Sequence, residues 1–183
     1  MLSRLFALLL ILLLLPIYLL VSIIIFFDDG FPIIIKQKRT GINNIIFDFY
    51  KFRTMRIGTP DIASKLLEKP DSHLLRTGKL LRKLSLDEFP QFFNVLKGDM
   101  AFVGPRPLLA NEEEIIELRS KKNIHKIMPG ITGWAQINGR DSITNDEKVK
   151  YDGYYLKNKS LFLDTYILFI TIKKTVLFKD ISH

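Results

Sequence analysis

The sequence predicts an α+β fold, a helix-rich globular body with a small β-hairpin or sheet, preceded by an apolar N-terminal helix that a proline breaks. Three observations predict it. From Leu5 to Phe27 nearly every residue is apolar, about 23 in all, with Pro16 close to the middle. Beyond Phe27 the composition turns abruptly to mixed polar and charged, and this region carries +7, the whole chain's +8 less Arg4. Within it, isoleucine-rich stretches flank a Gly-Ile-Asn-Asn turn, and helix-length segments are punctuated by proline and glycine. A chain of 183 residues suits one domain with an appendage. The expected boundary is at residue 30, with residues 1–30 forming a membrane-inserted helix and residues 31–183 the globular body.

An apolar run of about 23 residues, at ~1.5 Å rise per residue, is long enough for a ~30 Å hydrocarbon layer. A secretory signal would have a shorter apolar core of ~7–15 residues and then a small-residue cleavage site. This run instead continues into Phe26-Phe27-Asp28-Asp29. Proline removes an intrahelical hydrogen bond and clashes with the preceding turn, so Pro16 predicts a kink between two arms of about 11 residues, each ~16 Å long. Arg4 precedes the run and Lys36, Lys38 and Arg39 follow it, a distribution best satisfied with both ends on the cytoplasmic side. Proline is nevertheless tolerated in spanning helices. By themselves the residues leave a crossing helix and a re-entrant one both open.

In the body, Ile33–Ile35 and Ile45–Tyr50, on either side of Gly41-Ile42-Asn43-Asn44, predict a hairpin. Thr59-Pro60-Asp61 supplies the N-cap, first-turn proline and acid of a helix leading into Ile62–Leu67, which Pro70 closes. Leu74–Leu81 reads as a helix with Arg76, Lys79, Arg82 and Lys83 around it. Pro90–Lys97 reads as a short helix ended by Gly98, followed by an extended Met100–Val103. Glu112–Lys121 is a further expected helix. Leu161–Phe178 is apolar on most faces, but Asp164 and Lys173-Lys174 leave too short a run to span. It is expected to pack on the body or to lie as an amphipathic helix in the membrane interface.

A net charge of +8 and an isoelectric point near 9.6 point to an anionic partner: a membrane surface, a nucleotide, a lipid phosphate or a nucleic acid. The chain has no cysteine, which excludes disulfides, thiolate metal sites and thiol nucleophiles. Its three histidines, His73, His125 and His183, lack ligand spacing, which argues against a histidine-held metal.

Three stretches can carry chemistry. In Ser85-Leu86-Asp87-Glu88-Phe89-Pro90 the plain reading is a capping box, Ser85 at the N-cap and Glu88 at N3; Pro90 complicates it, and the alternative reading starts the helix proper at Pro90. Either way the carboxylates sit at or near a helix N-terminus, where a phosphate would also be attracted, so a nucleophile and its electrophile can share the site. Gly104-Pro105-Arg106-Pro107 holds an arginine between two prolines, either as a solvated surface turn or as a stiff guanidinium suited to bidentate phosphate recognition. Pro129–Arg140 combines three glycines, the only tryptophan, Gln136, Asn138 and Arg140, without the order of a P-loop or Rossmann loop. It reads as a turn-rich linker or as a nucleotide-binding loop. Lys51–Met55 is either a basic strand edge or part of an anionic-substrate surface.

Taken together, Lys51–Met55, Leu81–Gln91, Asn94–Met100, Gly104–Pro107 and Pro129–Arg140 closely resemble the bacterial sugar transferase family, the monotopic polyprenyl-phosphate phosphoglycosyltransferases that start glycoconjugate assembly on undecaprenyl phosphate. The resemblance runs in the family's order over about residues 31–178. It implies that Asp87, matching the family's Asp-Glu dyad, attacks the sugar-bearing phosphate of a UDP-sugar, expelling UMP, and that undecaprenyl phosphate then takes the phospho-sugar. It further implies that Asp87 and Glu88 form the metal site for Mg²⁺, Glu88 either helping to bind the metal or orienting the acceptor, that Arg82 and Arg106 bind phosphate, and that Gln136, Asn138 and Arg140 lie in the nucleotide loop. The expected setting is the cytoplasmic face of the bacterial inner membrane, with phospholipids as partners, no nucleic acid, and a kinked re-entrant helix. The chain departs from the usual pattern at its start: Arg4 stands where a Lys-Arg pair followed by Asp is common, and Leu15-Pro16 replaces Ser-Pro. Its length resembles the minimal members that lack an extra N-terminal transmembrane domain. Two competing readings are a basic membrane-anchored binding protein and a transferase that moves the sugar without its phosphate.

Overall fold

The computed structural model describes residues 1–60, 62, 68–139 and 142–176. Among the described residues the chain forms two compact units, residues 1–37 with 48–97, and residues 38–47 with 98–176. Helix-rich with two short sheets, it is α+β as predicted. The helix expected over 62–67 lies outside the described residues except for Ile62.

In the first unit, helix α1 (Leu2–Leu13) and helix α2 (Leu15–Asp29) meet at Leu14 with a bend of 59°. The break falls just ahead of Pro16, which sits in the first turn of α2, where a helix has no use for its missing N–H. Among the described residues no single helix is long and apolar enough to cross a bilayer, whereas the bent pair together meets that test. Helix α1 packs along α4 (Gln91–Lys97) and buries Ala7 and Ile11, leaving Leu5, Leu9, Leu12 and Leu13 exposed. Helix α2 buries one stripe, Tyr18, Val21 and Ile25, against Phe52, Leu75 and Leu81. Its Leu19, Leu20, Ile23 and Phe27 face outward. Helices that are apolar all round yet packed on one side present a contiguous apolar surface of the kind that marks a membrane or protein contact.

Strands β1 (Ile34–Thr40) and β2 (Ile46–Phe52) pair as the predicted hairpin. Their turn uses Asn43 and Asn44 at φ 55° and 59°, left-handed values that asparagine accepts more readily than most residues. Helix α3 spans Gly78–Lys83, not the expected Leu74–Leu81. Leu74 is extended and bridges Met55, and Leu75 N donates to Thr54 O at 3.0 Å, so a tertiary strand contact takes the residues that propensity assigned to a helix.

In the second unit, β3 (Ala101–Val103) pairs in parallel with β4 (Gly130–Thr132). Around them lie α5 (Glu113–Lys121), α6 (Trp134–Ile137), α7 (Asn145–Asn158) and α8 (Leu161–Val176). Val103, Ile137, Tyr155 and Ile167 form one core cluster, and Leu108, Ile115, Ile124 and Val149 another. Helix α8 packs on the body through Ile167 and exposes Leu161, Phe162, Phe169 and Ile172.

Candidate active site

Arg82, Asp87 and Glu88 belong to the first unit. Arg82 is in α3, and Asp87 and Glu88 lie on a single 3-10 turn, Leu86–Glu88, ahead of α4. The capping box does not form: Ser85 adopts a left-handed conformation at φ 54° with no side-chain cap bond, and α4 starts only at Gln91. Pro90 explains this, since a helix running from Ser85 would place the ring in its interior.

Arg82 and Asp87 are both buried, at 7% and 6% exposure, and Glu88 is half-buried. Burial pushes the Arg82 guanidinium below its usual value while the Asp87 charge acts in the opposite sense, so the two groups are electrostatically coupled. Arg82 Nε also donates to Thr54 Oγ1 at 3.0 Å.

The platform under this pair is tied to the end of α2. Arg53, 2% exposed, forms an ion pair with Asp29 through Nη1. It also donates to Pro32 O at 2.7 Å, Asp29 O at 2.9 Å and Gly30 O at 2.8 Å. Asp28 accepts from Thr77 N at 2.8 Å and Thr77 Oγ1 at 2.6 Å. Arg53 is therefore a structural cation, and the reading of Lys51–Met55 as a substrate surface fails at this residue because its donors are engaged inside the fold. Sequence did hold a signal for it: acids in the last turn of a helix oppose the helix dipole and call for outside partners.

Arg106, Gln136 and Asn138 belong to the second unit, and Arg140 lies outside the described residues. Three successive carbonyls around Arg106 are engaged. Gly130 N donates to Pro105 O at 2.9 Å, Arg119 Nη1 to Arg106 O at 2.8 Å, and Arg39 Nη1 to Pro107 O at 3.1 Å. Arg106 is thus mounted on a rigid segment, as the flanking prolines predict, with its side chain half-buried. Arg119 is held in turn by Asp152, an ion pair of 2.6 Å between two buried residues; burial pushes the Asp152 carboxyl up and Arg119 pulls it back. Neither residue was singled out by sequence, because nothing local distinguishes a buried arginine in α5 or an aspartate in the unexpected α7.

The Pro129–Arg140 stretch is more ordered than a linker, since it contains β4 and α6. Its glycines include one required by close packing, for a Cβ on Gly133 would sit 2.1 Å from Gly104 O. Gln136 Nε2 donates to Ile131 O at 2.8 Å, and its buried Oε1 has no hydrogen-bond partner among the described residues. Asn138 is exposed and donates to Trp134 O at 2.8 Å. Trp134 stacks on Tyr154 with ring centres 5.1 Å apart.

Among the described residues no group of three or more His, Cys, Asp or Glu side chains gathers as a metal cage. Mg²⁺ does not need one, because it commonly takes one or two carboxylates and completes its shell with water and substrate phosphate oxygens. The adjacent Asp87 and Glu88 fit that donor set.

Residues 1–178 match the sequence model of the family described as "Bacterial sugar transferase". The chain belongs to this family. It is a transferase on that ground. Among relatives in the family, the uncharacterized sugar transferase EpsL of Bacillus subtilis (strain 168) is 45% identical over 155 residues, covering 84% of this chain and 75% of EpsL. The undecaprenyl-phosphate glucose phosphotransferase of Komagataeibacter xylinus is 38% identical over 179 residues, 92% of this chain and 34% of the relative. The UDP-glucose:undecaprenyl-phosphate glucose-1-phosphate transferase of Escherichia coli (strain K12) is 37% identical over 175 residues, 92% of this chain and 38% of the relative. The chain thus spans about a third of the length of the latter two family members.

Proposed function

We propose that this transferase moves a phospho-sugar from a UDP-sugar to undecaprenyl phosphate, with Asp87 as the nucleophile. The reading rests on one observation above the rest: in a chain of this family, a buried carboxylate, Asp87, is coupled to a buried guanidinium, Arg82. An Asp87 oxygen attacks the phosphorus that bears the sugar, and the bond to the bridging oxygen breaks, so UMP leaves with that electron pair. An oxygen of undecaprenyl phosphate then attacks the same phosphorus. The Asp87–phosphorus bond breaks, the carboxylate is regenerated, and the product is a polyprenyl-diphosphate-sugar. Attack by an anion on an anionic diphosphate requires that the phosphate charge be neutralised where it develops, which Arg82 beside the nucleophile can do. Arg106, on its rigid segment, is proposed as a further phosphate-binding residue, with Gln136, Asn138 and Arg140 proposed for the nucleotide. Mg²⁺, held by Asp87 and Glu88, would supply charge neutralisation at the phosphate oxygens.

The bent α1–α2 pair is proposed to enter one leaflet and return, leaving both ends at the cytoplasmic face, with the exposed apolar side of α8 lying in the interface. Arms of 12 and 15 residues are ~18 and ~22 Å long, each well short of the ~30 Å hydrocarbon core. The functional test is nucleotide release with undecaprenyl phosphate and a panel of UDP-glucose, UDP-galactose and UDP-N-acetylgalactosamine, the sugars that appear in relatives' names. UMP is the expected product. Release of UDP would mean transfer of the sugar alone and would overturn the proposal.

A further inference from the structure

Arg82 carries a long, flexible side chain, and the fold spends a buried threonine on it. Thr54 is 1% exposed, and its Oγ1 accepts from Arg82 Nε at 3.0 Å. The Nε–H lies in the plane of the guanidinium, so tying it fixes the direction of the terminal fork. Thr54 itself is held from three sides. Its carbonyl accepts from Leu75 N at 3.0 Å, and the start of α3 presses on it so closely that a Cβ on Gly78 would sit 2.3 Å from Thr54 O. On the third side its neighbour Arg53 clasps Asp29, Gly30 and Pro32 at the end of α2.

We propose that Thr54 is a positioning residue for Arg82: its hydroxyl fixes the guanidinium beside Asp87, from a backbone that the Arg53 clasp anchors to the end of the membrane helix. This rests on the reading of Arg82 as a phosphate-binding group at the nucleophile. Charge develops on the phosphate as UMP departs, and a guanidinium displaced by a fraction of an ångström stabilises it less. Loss of the hydroxyl therefore lowers turnover more than it weakens donor binding. The plain rival explanation is that a buried β-branched residue is there for its methyl group.

The two explanations rank the same variants in opposite order. Thr54→Val keeps the volume and methyl and loses the hydroxyl; Thr54→Ser keeps the hydroxyl and loses the methyl. UMP release is measured in nonionic detergent with undecaprenyl phosphate and the most active UDP-sugar of the panel, per mole of folded protein. Thr54→Val is expected to lower kcat by about ten- to a hundredfold, with the smaller change in KM, while Thr54→Ser stays close to the parent. Thr54→Ala serves as a second hydroxyl-free variant should the valine form fold poorly. In an Arg82→Ala background, Thr54→Val should cost nothing further, because there is no guanidinium left to place. The opposite ranking, valine active and serine impaired, overturns the proposal in favour of packing. A valine effect undiminished without Arg82 overturns it as well. If Arg82→Ala alone keeps parental activity, the phosphate-binding reading of Arg82 is what fails, and the positioning role falls with it.

Discussion

Replacing Arg53 by methionine removes the clasp between β2 and the end of α2 while filling most of the arginine's volume. Breaking a buried ion pair costs ~3–5 kcal/mol. The Asp29 side chain is 38% exposed and keeps part of its hydration, which moves this pair to the lower end, about 3 kcal/mol. Three carbonyls, Pro32, Asp29 and Gly30, also lose a charged donor. Bonds to charged groups are worth ~1.5–3 kcal/mol each when nothing replaces them, but Asp29 and Pro32 are exposed residues and Gly30 is half-buried, so with water as a replacement donor they together add about 1 kcal/mol. The total is about 4 kcal/mol. At ~2–4 °C per kcal/mol for a chain of this size, the thermal midpoint should fall by about 8–16 °C. The assay is far-UV circular dichroism during heating in nonionic detergent, with Arg53→Lys as comparator. Lysine is expected between the two, because an ammonium can reach Asp29 but cannot serve three carbonyl directions at once. A fall of less than about 3 °C for Arg53→Met would show that the clasp is hydrated and that the anchoring argument is wrong.

Arg106→Lys should lower the rate of UMP release markedly although the charge remains, because the planar fork is lost; a lysine variant as fast as the parent would remove Arg106 from bidentate phosphate binding. Thr144→Ala should lower the thermal midpoint by about 2–4 °C, since it removes one side of the Thr144–Glu147 capping box at the start of α7, worth ~1 kcal/mol. The re-entrant reading predicts that single cysteines placed at Leu2 and at Asn43, in a chain that has none of its own, both resist a membrane-impermeant maleimide in sealed cells and both react once the membrane is opened. Labelling of position 2 alone in sealed cells would instead show a crossing helix.

The parts of the fold that local chemistry controls were legible. Pro16 places the break, Asn43-Asn44 the hairpin turn, and Gly98 the end of α4 at φ 94°. Where tertiary contacts override propensity, sequence misled: Leu74 and Leu75 look helical but are pulled straight by Met55 and Thr54. Helix α7 was missed although Thr144 and Glu147 stand at capping-box spacing, because its buried positions, Val149, Asp152 and Tyr155, include an aspartate and give no clear apolar stripe. At the site, Asp87 and Glu88 stood out as two acids at or near a helix start, and Arg82 was picked out only by the family resemblance. Their supports did not show their roles, although Arg53 and Thr54 lie in the Lys51–Met55 stretch that sequence singled out. Arg53, Thr54, Arg119 and Asp152 act through partners far away in sequence, and a buried arginine looks like a surface one until its acceptors are in place.

The most direct test of the central claim is a single-turnover experiment without lipid acceptor. Purified protein is mixed with the active UDP-sugar and Mg²⁺, quenched, and examined for released UMP and by intact-protein and peptide mass spectrometry. The account predicts UMP in an amount close to that of the enzyme, and a phospho-sugar adduct on the peptide carrying Asp87 that disappears on adding undecaprenyl phosphate. Asp87→Asn should give neither, since the nucleophile's charge is removed at nearly constant shape. If UMP forms only when the lipid acceptor is present and no adduct is found on Asp87, transfer is direct and the covalent role assigned to Asp87 is wrong.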